Sequence, residues 1–161
     1  MIHYLYFHRM KRVEAIAPEE YLPLAVSMLD KVNRMNPSKT GSPLKLYRRS
    51  EGYRLDMRES PYITYSLVAI GRKWKNILEP LNLYSLDISY LPLLSFSELE
   101  SLRIKELRMV GLKIGRKHPL AVQLKRMGVK KVFMDTDAYP PVMLAKLRAH
   151  CEVVHEDAVT K

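Results

Sequence analysis

Asp135-Thr136-Asp137 follows the apolar run Val132-Phe133-Met134. Two carboxylates at the C-terminal end of a parallel strand are one way to hold Mg²⁺. The same three residues also read as a polar turn that ends a strand, and that reading is preferred. His118, His150 and His155 with Cys151 are the other residues able to bind a metal or attack a substrate. His150 and Cys151 are adjacent, so in a strand they point to opposite faces and do not form a nucleophile–base pair. The sequence contains no Cys-x-x-Cys and no His-x-x-x-His. Gly111-Leu-Lys-Ile-Gly115-Arg-Lys117 runs into His118, where a Walker phosphate loop needs Ser or Thr. These patterns predict no catalytic residue, no metal site, no cofactor and no small-molecule substrate.

The charge pattern points elsewhere. Lys+Arg number 27 against Asp+Glu 17, a formal net charge of +10. Such an excess favours an acidic partner: nucleic acid, an anionic membrane or an acidic protein surface. It is concentrated in Arg103, Lys105, Arg108, Lys113, Arg116, Lys117, Lys125, Arg126, Lys130 and Lys131, opposed in that stretch only by Glu106. A cluster of this kind can neutralise phosphates. No RNP, GXXG or zinc-finger pattern accompanies it. The single cysteine excludes an intramolecular disulfide and a Cys-rich zinc site, which fits a reducing, cytoplasmic location. Met1 to Lys11 lacks the form of a signal peptide, and the longest apolar-rich run, Tyr62 to Ile70, falls short of the ~20 residues that span a bilayer.

These side chains need elements to hold them. Ile2 to Phe7 reads as a strand. A helix is expected from Pro18, with Glu19 and Glu20 in its first turn and Leu22, Val26, Leu29 and Val32 on one face, ending at Asn36-Pro37. Ser38 to Pro43 is a loop by composition. Leu44 to Arg49 and Tyr53 to Arg58 form a hairpin around Ser50-Glu51-Gly52, with Arg49, Arg54 and Arg58 on its other face. Tyr62 to Ile70 reads as a buried strand, and Arg72 to Glu79 as a short helix that buries Trp74 and is stopped by Pro80. Pro119 to Met127 and Pro141 to Ala149 read as helices, Val129 to Asp135 and Cys151 to Val154 as strands, and His155 to Lys161 as a frayed tail.

Three segments share one apolar register: 83–93, 99–109 and 129–139. Each has apolar residues at relative positions 1, 4 and 6: Leu83, Leu86, Ile88; Leu99, Leu102, Ile104; Val129, Val132, Met134. This pattern resembles that of leucine-rich-repeat proteins, with Leu91, Leu107 and Asp137 at position 9, where that family has Asn or Cys. The resemblance implies an irregular stack of short parallel strands with short helices in the C-terminal half. The Asp-Thr-Asp run is also similar to the nucleophile motif of haloacid-dehalogenase-like phosphatases, but that family needs a long α/β domain after it. The fold class expected is therefore α/β, with an α+β N-terminal half. The division is a mixed part, 1–80, and a repeat-like part, 81–161, or one continuous domain.

In such a stack positions 5 and 7 point off the open face. They are Asp87 and Ser89, Arg103 and Lys105, Phe133 and Asp135, and they are the expected partner-binding residues. The expected function is a non-enzymatic protein-interaction module, an adaptor or inhibitor such as a toxin-neutralising protein, that binds an acidic or mixed-charge protein. The alternative is a nucleic-acid-binding accessory protein that uses Arg108, Lys113, Arg116, Lys117, Lys125, Arg126, Lys130 and Lys131.

Overall fold

The computed structural model describes residues 17–32, 44–58, 60, 76–91, 96–112, 114 and 118–158. Helix α1 (Pro18–Val32) opens on proline and two acids, a first turn suited to the positive end of the helix dipole. Its most buried line is Tyr21, Ala25 and Leu29, with Leu22 and Val26 half-buried beside it. The expected face is thus rotated by one residue, because the Tyr21 ring fills the core and its hydroxyl donates to the Ile77 carbonyl at 2.7 Å.

A hairpin follows, β1 (Lys45–Arg49) and β2 (Gly52–Asp56), with Arg49 opposite Gly52. Gly52 sits at φ +134°, and a Cβ there would lie 3.1 Å from the Tyr84 Cβ, so the turn needs glycine on both counts. The remaining strands are β3 (Leu83–Asp87), β4 (Glu106–Arg108), β5 (Lys131–Met134) and β6 (Glu152–His155). They form one 6-stranded sheet in the order β1-β2-β3-β4-β5-β6. Only β1 runs antiparallel; β2 to β6 are parallel neighbours. Each parallel step needs a crossover. Helix α2 (Leu120–Met127) joins β4 to β5, and α3 (Pro141–Arg148) joins β5 to β6. Gly128 closes α2 in the left-handed region, as its position just past the helix predicts. Between β3 and β4 the described secondary structure is the 3-10 turn Phe96–Leu99. The described protein is therefore mixed α/β with a mostly parallel sheet, and none of its described helices is long and apolar enough to cross a membrane.

The core lies on one side of this sheet. Leu55, Leu86, Leu107 and Val132 are paired across four successive strands and are fully buried. Met57, Ile88, Met109 and Met134, two residues further on, are equally buried. This corrects the register of the second segment. Leu102 and Ile104 precede the strand instead of lying in it, and Leu107 takes the level of Leu86. Leu99-x-x-Leu102-x-Ile104 and Ile104-x-x-Leu107-x-Met109 fit the same apolar pattern, and the pairing of β4 between β3 and β5 selects the second.

Other expectations change in detail. Glu79–Leu81 is a 3-10 turn with Pro80 inside it, so Pro80 does not stop a helix there. His155 belongs to β6 rather than to the tail. The expected strands at Ile2–Phe7 and Tyr62–Ile70, the helix end at Asn36-Pro37, the loop at Ser38–Pro43 and the burial of Trp74 lie outside the described residues.

Candidate functional site

The side of the sheet opposite the core carries two polar rows. One runs Arg54, Ser85, Glu106, Lys131, Glu152 across β2 to β6. The other runs Asp56, Asp87, Arg108, Phe133, Val154. Both arise because side chains alternate faces along a strand, so each residue beside a core leucine is forced outward.

Asp87 is the centre of the β2–β4 part. Its side chain is only 1% exposed, so its charge is largely removed from water. Its Oδ2 meets Arg54 Nη2 at 3.1 Å, Arg58 Nε at 3.4 Å and Arg108 Nε at 3.8 Å. Its Oδ1 accepts from the Ser89 N–H at 3.1 Å. A carboxylate this buried requires such partners. Asp56 accepts from Arg58 through Nη2 at 2.6 Å, Nε at 3.1 Å and the backbone N–H at 3.1 Å. Burial pushes the Asp56 pKa up, but the hydrogen bonds and charge of Arg58, with Arg54 nearby, outweigh it and hold the carboxyl below its ordinary value. The same contact with Asp56 raises the Arg58 pKa.

Toward β6 the face becomes aromatic. The Arg108 guanidinium lies 4.5 Å from the Phe133 ring centroid and forms an ion pair with Glu156. Lys131 Nζ lies 5.4 Å from the same centroid and 3.0 Å from Glu152. Arg108 is thus held on three sides, by Asp87, Phe133 and Glu156. Among the described residues, Arg54 Nε and Glu156 Oε2 are buried atoms without a hydrogen-bond partner.

The expected outward ladder is therefore rearranged. Asp87 and Phe133 do share one level, but Asp87 is buried and Phe133 half-buried. Ser89 is buried, and its Oγ accepts from the Val110 N–H at 3.1 Å. Arg103 and Lys105 do not join this ladder, because β4 begins at Glu106. Arg103 folds back, with Nη1 donating to the carbonyls of Glu100, Ser101 and Leu102 at 3.1–3.2 Å. Arg108 takes the level of Asp87 and Phe133, and Glu106 stands in the other row, between Ser85 and Lys131. Arg54, Asp56, Arg58, Arg108, Lys131 and Glu156 complete the face; choosing Ile104 as the start of the second segment brings Arg108 into line with Asp87 and Phe133.

The basic cluster divides among different parts of the fold. Arg108 and Lys131 lie on the polar face. Lys105 and Lys130 are exposed at the starts of β4 and β5, and Lys125 and Arg126 are exposed in the last turn of α2, where Arg126 sits 3.9 Å from Glu100. Lys113, Arg116 and Lys117 lie outside the described residues.

Asp135 caps the 3-10 turn Thr136–Ala138, accepting from the Asp137 N–H at 3.2 Å. Ligand atoms of Asp135, Asp137 and His155 come within 4.8 Å of one another, and among the described residues this is the group close enough together to share a cation. Both His155 ring nitrogens are already engaged, Nδ1 with Thr136 Oγ1 at 2.7 Å and Nε2 with Asp157 at 3.0 Å. Burial raises the Cys151 pKa, and its Sγ lies 3.5 Å from the Leu147 carbonyl, the setting of a packing residue rather than a nucleophile. Comparison with protein-family models, with curated proteins and with solved structures finds no match to this chain.

Proposed function

We propose that this chain is a non-enzymatic protein-interaction module that docks a mixed-charge protein partner on the polar face of its sheet. The observation that carries this reading is Arg108, stacked on Phe133 and anchored by Asp87 and Glu156. Arginine and aromatic side chains dominate binding energy at interfaces, and a pre-ordered pair loses little entropy on docking.

An irregular leucine-rich-repeat-like stack is the architecture that best accounts for this face. With the second segment starting at Ile104, the starts at 83, 104 and 129 are spaced within the ~20–29 residues of that family. The positions 1, 4 and 6 are then Leu83, Leu86, Ile88; Ile104, Leu107, Met109; Val129, Val132, Met134, all buried. Repeat proteins of this kind use their strand side for partners. An adaptor or inhibitor is the form of activity that fits. The nucleic-acid reading has less support, because its basic residues are divided among the sheet face, the strand starts and the end of α2.

The test is purification of the protein from its source with what accompanies it, before and after nuclease. A stoichiometric protein should survive nuclease and be lost from the Arg108→Ala/Phe133→Ala variant. Companion material that disappears with nuclease would move the reading to nucleic acid.

A further inference from the structure

The two edges of the sheet carry opposite charge. On the polar face β1 presents Lys45, Tyr47 and Arg49, all exposed, with Tyr47 at 40%. On that face β6 and the residue after it present Glu152, Val154 and Glu156. Each row has an apolar centre flanked by two charges, basic on β1 and acidic on β6. Among the described residues nothing pairs with the outer side of either strand. Such an edge is a template for another strand.

We infer that the occupant of each edge is a second copy of this chain, joined β6 to β1 so that the sheet continues from one molecule into the next. This contact runs along the strand edges and does not rest on the partner proposed for the polar face, although Glu156 borders both. Keeping the core side of both molecules on the same side of the joined sheet requires a translation across the strands. Since β1 is antiparallel to the other strands, it then lies antiparallel to β6 of its neighbour. In the register that places Tyr47 beside Val154, Arg49 faces Glu152 and Lys45 faces Glu156.

The rows already present extend without a break. Glu106, Lys131 and Glu152 alternate in sign from strand to strand, and Arg49 of the next copy continues the alternation. Phe133 and Val154 lie side by side, and Tyr47 continues that apolar line. Opposite-charge and aromatic–β-branched pairs directly across a strand pair are favourable, whereas like charges there are unfavourable. The symmetric alternatives meet this penalty. Two β6 edges would oppose Glu152 to Glu156, and two β1 edges would oppose Lys45 to Arg49. The edges therefore reject their own kind and accept each other. A contact between two different patches does not close on itself at two copies, so association continues with concentration.

Sedimentation velocity from micromolar to millimolar protein tests this. The wild-type chain should sediment faster as concentration rises and pass beyond a dimer. Arg49→Glu and Glu152→Arg should each abolish association while keeping the circular dichroism of the wild type. An equimolar mixture of the two variants should recover it, because each reversed charge then meets its complement on the other variant; this recovery separates a lost contact from a failure to fold. A wild-type chain that stays monomeric throughout would overturn the inference, as would single variants that associate like the wild type.

Discussion

On the core side of the sheet, Leu55, Leu86, Leu107 and Val132 stand at one level on four neighbouring strands. On the polar side the adjoining residues are Asp56, Asp87, Arg108 and Phe133, with no two successive parallel steps alike. The strands and their alternation are shared, so the difference lies in what each side must satisfy. A buried level tolerates only apolar shapes that fill the same layer. A level facing outward is constrained by charge pairing, and there a change of residue on one strand is answered by its neighbour. Asp87 shows this answer, since it is buried on the polar side and is neutralised by arginines from β2, from the residues just after it and from β4.

Neighbouring substitutions on opposite sides should break this comparison most sharply. Leu107→Ala empties a fully buried position and is expected to cost about 2–5 kcal/mol. Arg108→Ala, one residue on, should cost no more than about 1 kcal/mol, since its partners are reached from a part-exposed surface, yet it should remove partner binding. Urea titration of both variants measures the contrast. Asp87→Ala removes the carboxylate shared by Arg54, Arg58 and Arg108, leaving Arg58 only Asp56 and Arg108 only Glu156 to pair with among the described residues. Breaking a fully buried pair costs ~3–5 kcal/mol, and the partial exposure of the arginines reduces the expected cost to about 2 kcal/mol. Thermal unfolding at low and high salt should show that cost falling as salt screens the arginines from one another.

Two glycines give a smaller contrast. Gly111 and Gly128 both have positive φ, but a Cβ at Gly111 would lie 2.4 Å from the Tyr90 ring, whereas at Gly128 the nearest atom is the Ile104 carbonyl oxygen at 4.0 Å. Both alanine variants should lose about 1 kcal/mol from backbone strain. Gly111→Ala should lose more, and adding Tyr90→Ala should return the steric part, as read from the shift in melting temperature.

The weakest expected effect is that of pH. Asp56 has a folded pKa below its ordinary value. Its contribution is therefore complete above the ordinary carboxylate range and is lost as pH falls through the depressed folded value. Melting temperature followed from neutral to strongly acidic pH should decline less steeply for Asp56→Asn than for the wild type. An unchanged slope would mean that Asp56 gains nothing from Arg58.

The core side was largely legible in the residue order because burial imposes one repeated answer. Leu83, Leu86 and Ile88, and Val129, Val132 and Met134, fall where the apolar register puts them. The hairpin turn and the helices that open at Pro18, Pro119 and Pro141 follow from Gly and Pro punctuation, to within a residue at their starts. The second strand is ambiguous in residue order because Ile104 ends one apolar triplet and begins another, and only pairing with β3 and β5 decides between them. The polar side carries the same ambiguity. The apolar pattern alone puts Arg103 beside Asp87, where Arg108 stands, and the gathering of Arg54, Arg58 and Arg108 on one carboxylate joins residues far apart in the chain. No local pattern marks such a cluster.

Hydrogen–deuterium exchange of the protein with and without its co-purified partner tests the central proposal most directly. The account predicts slowed exchange in peptides covering 54–58, 85–89, 106–110 and 131–135, with little change across α2. Protection confined to the end of α2 and the exposed starts of β4 and β5, or none on these four peptides, would contradict the polar face as the docking surface.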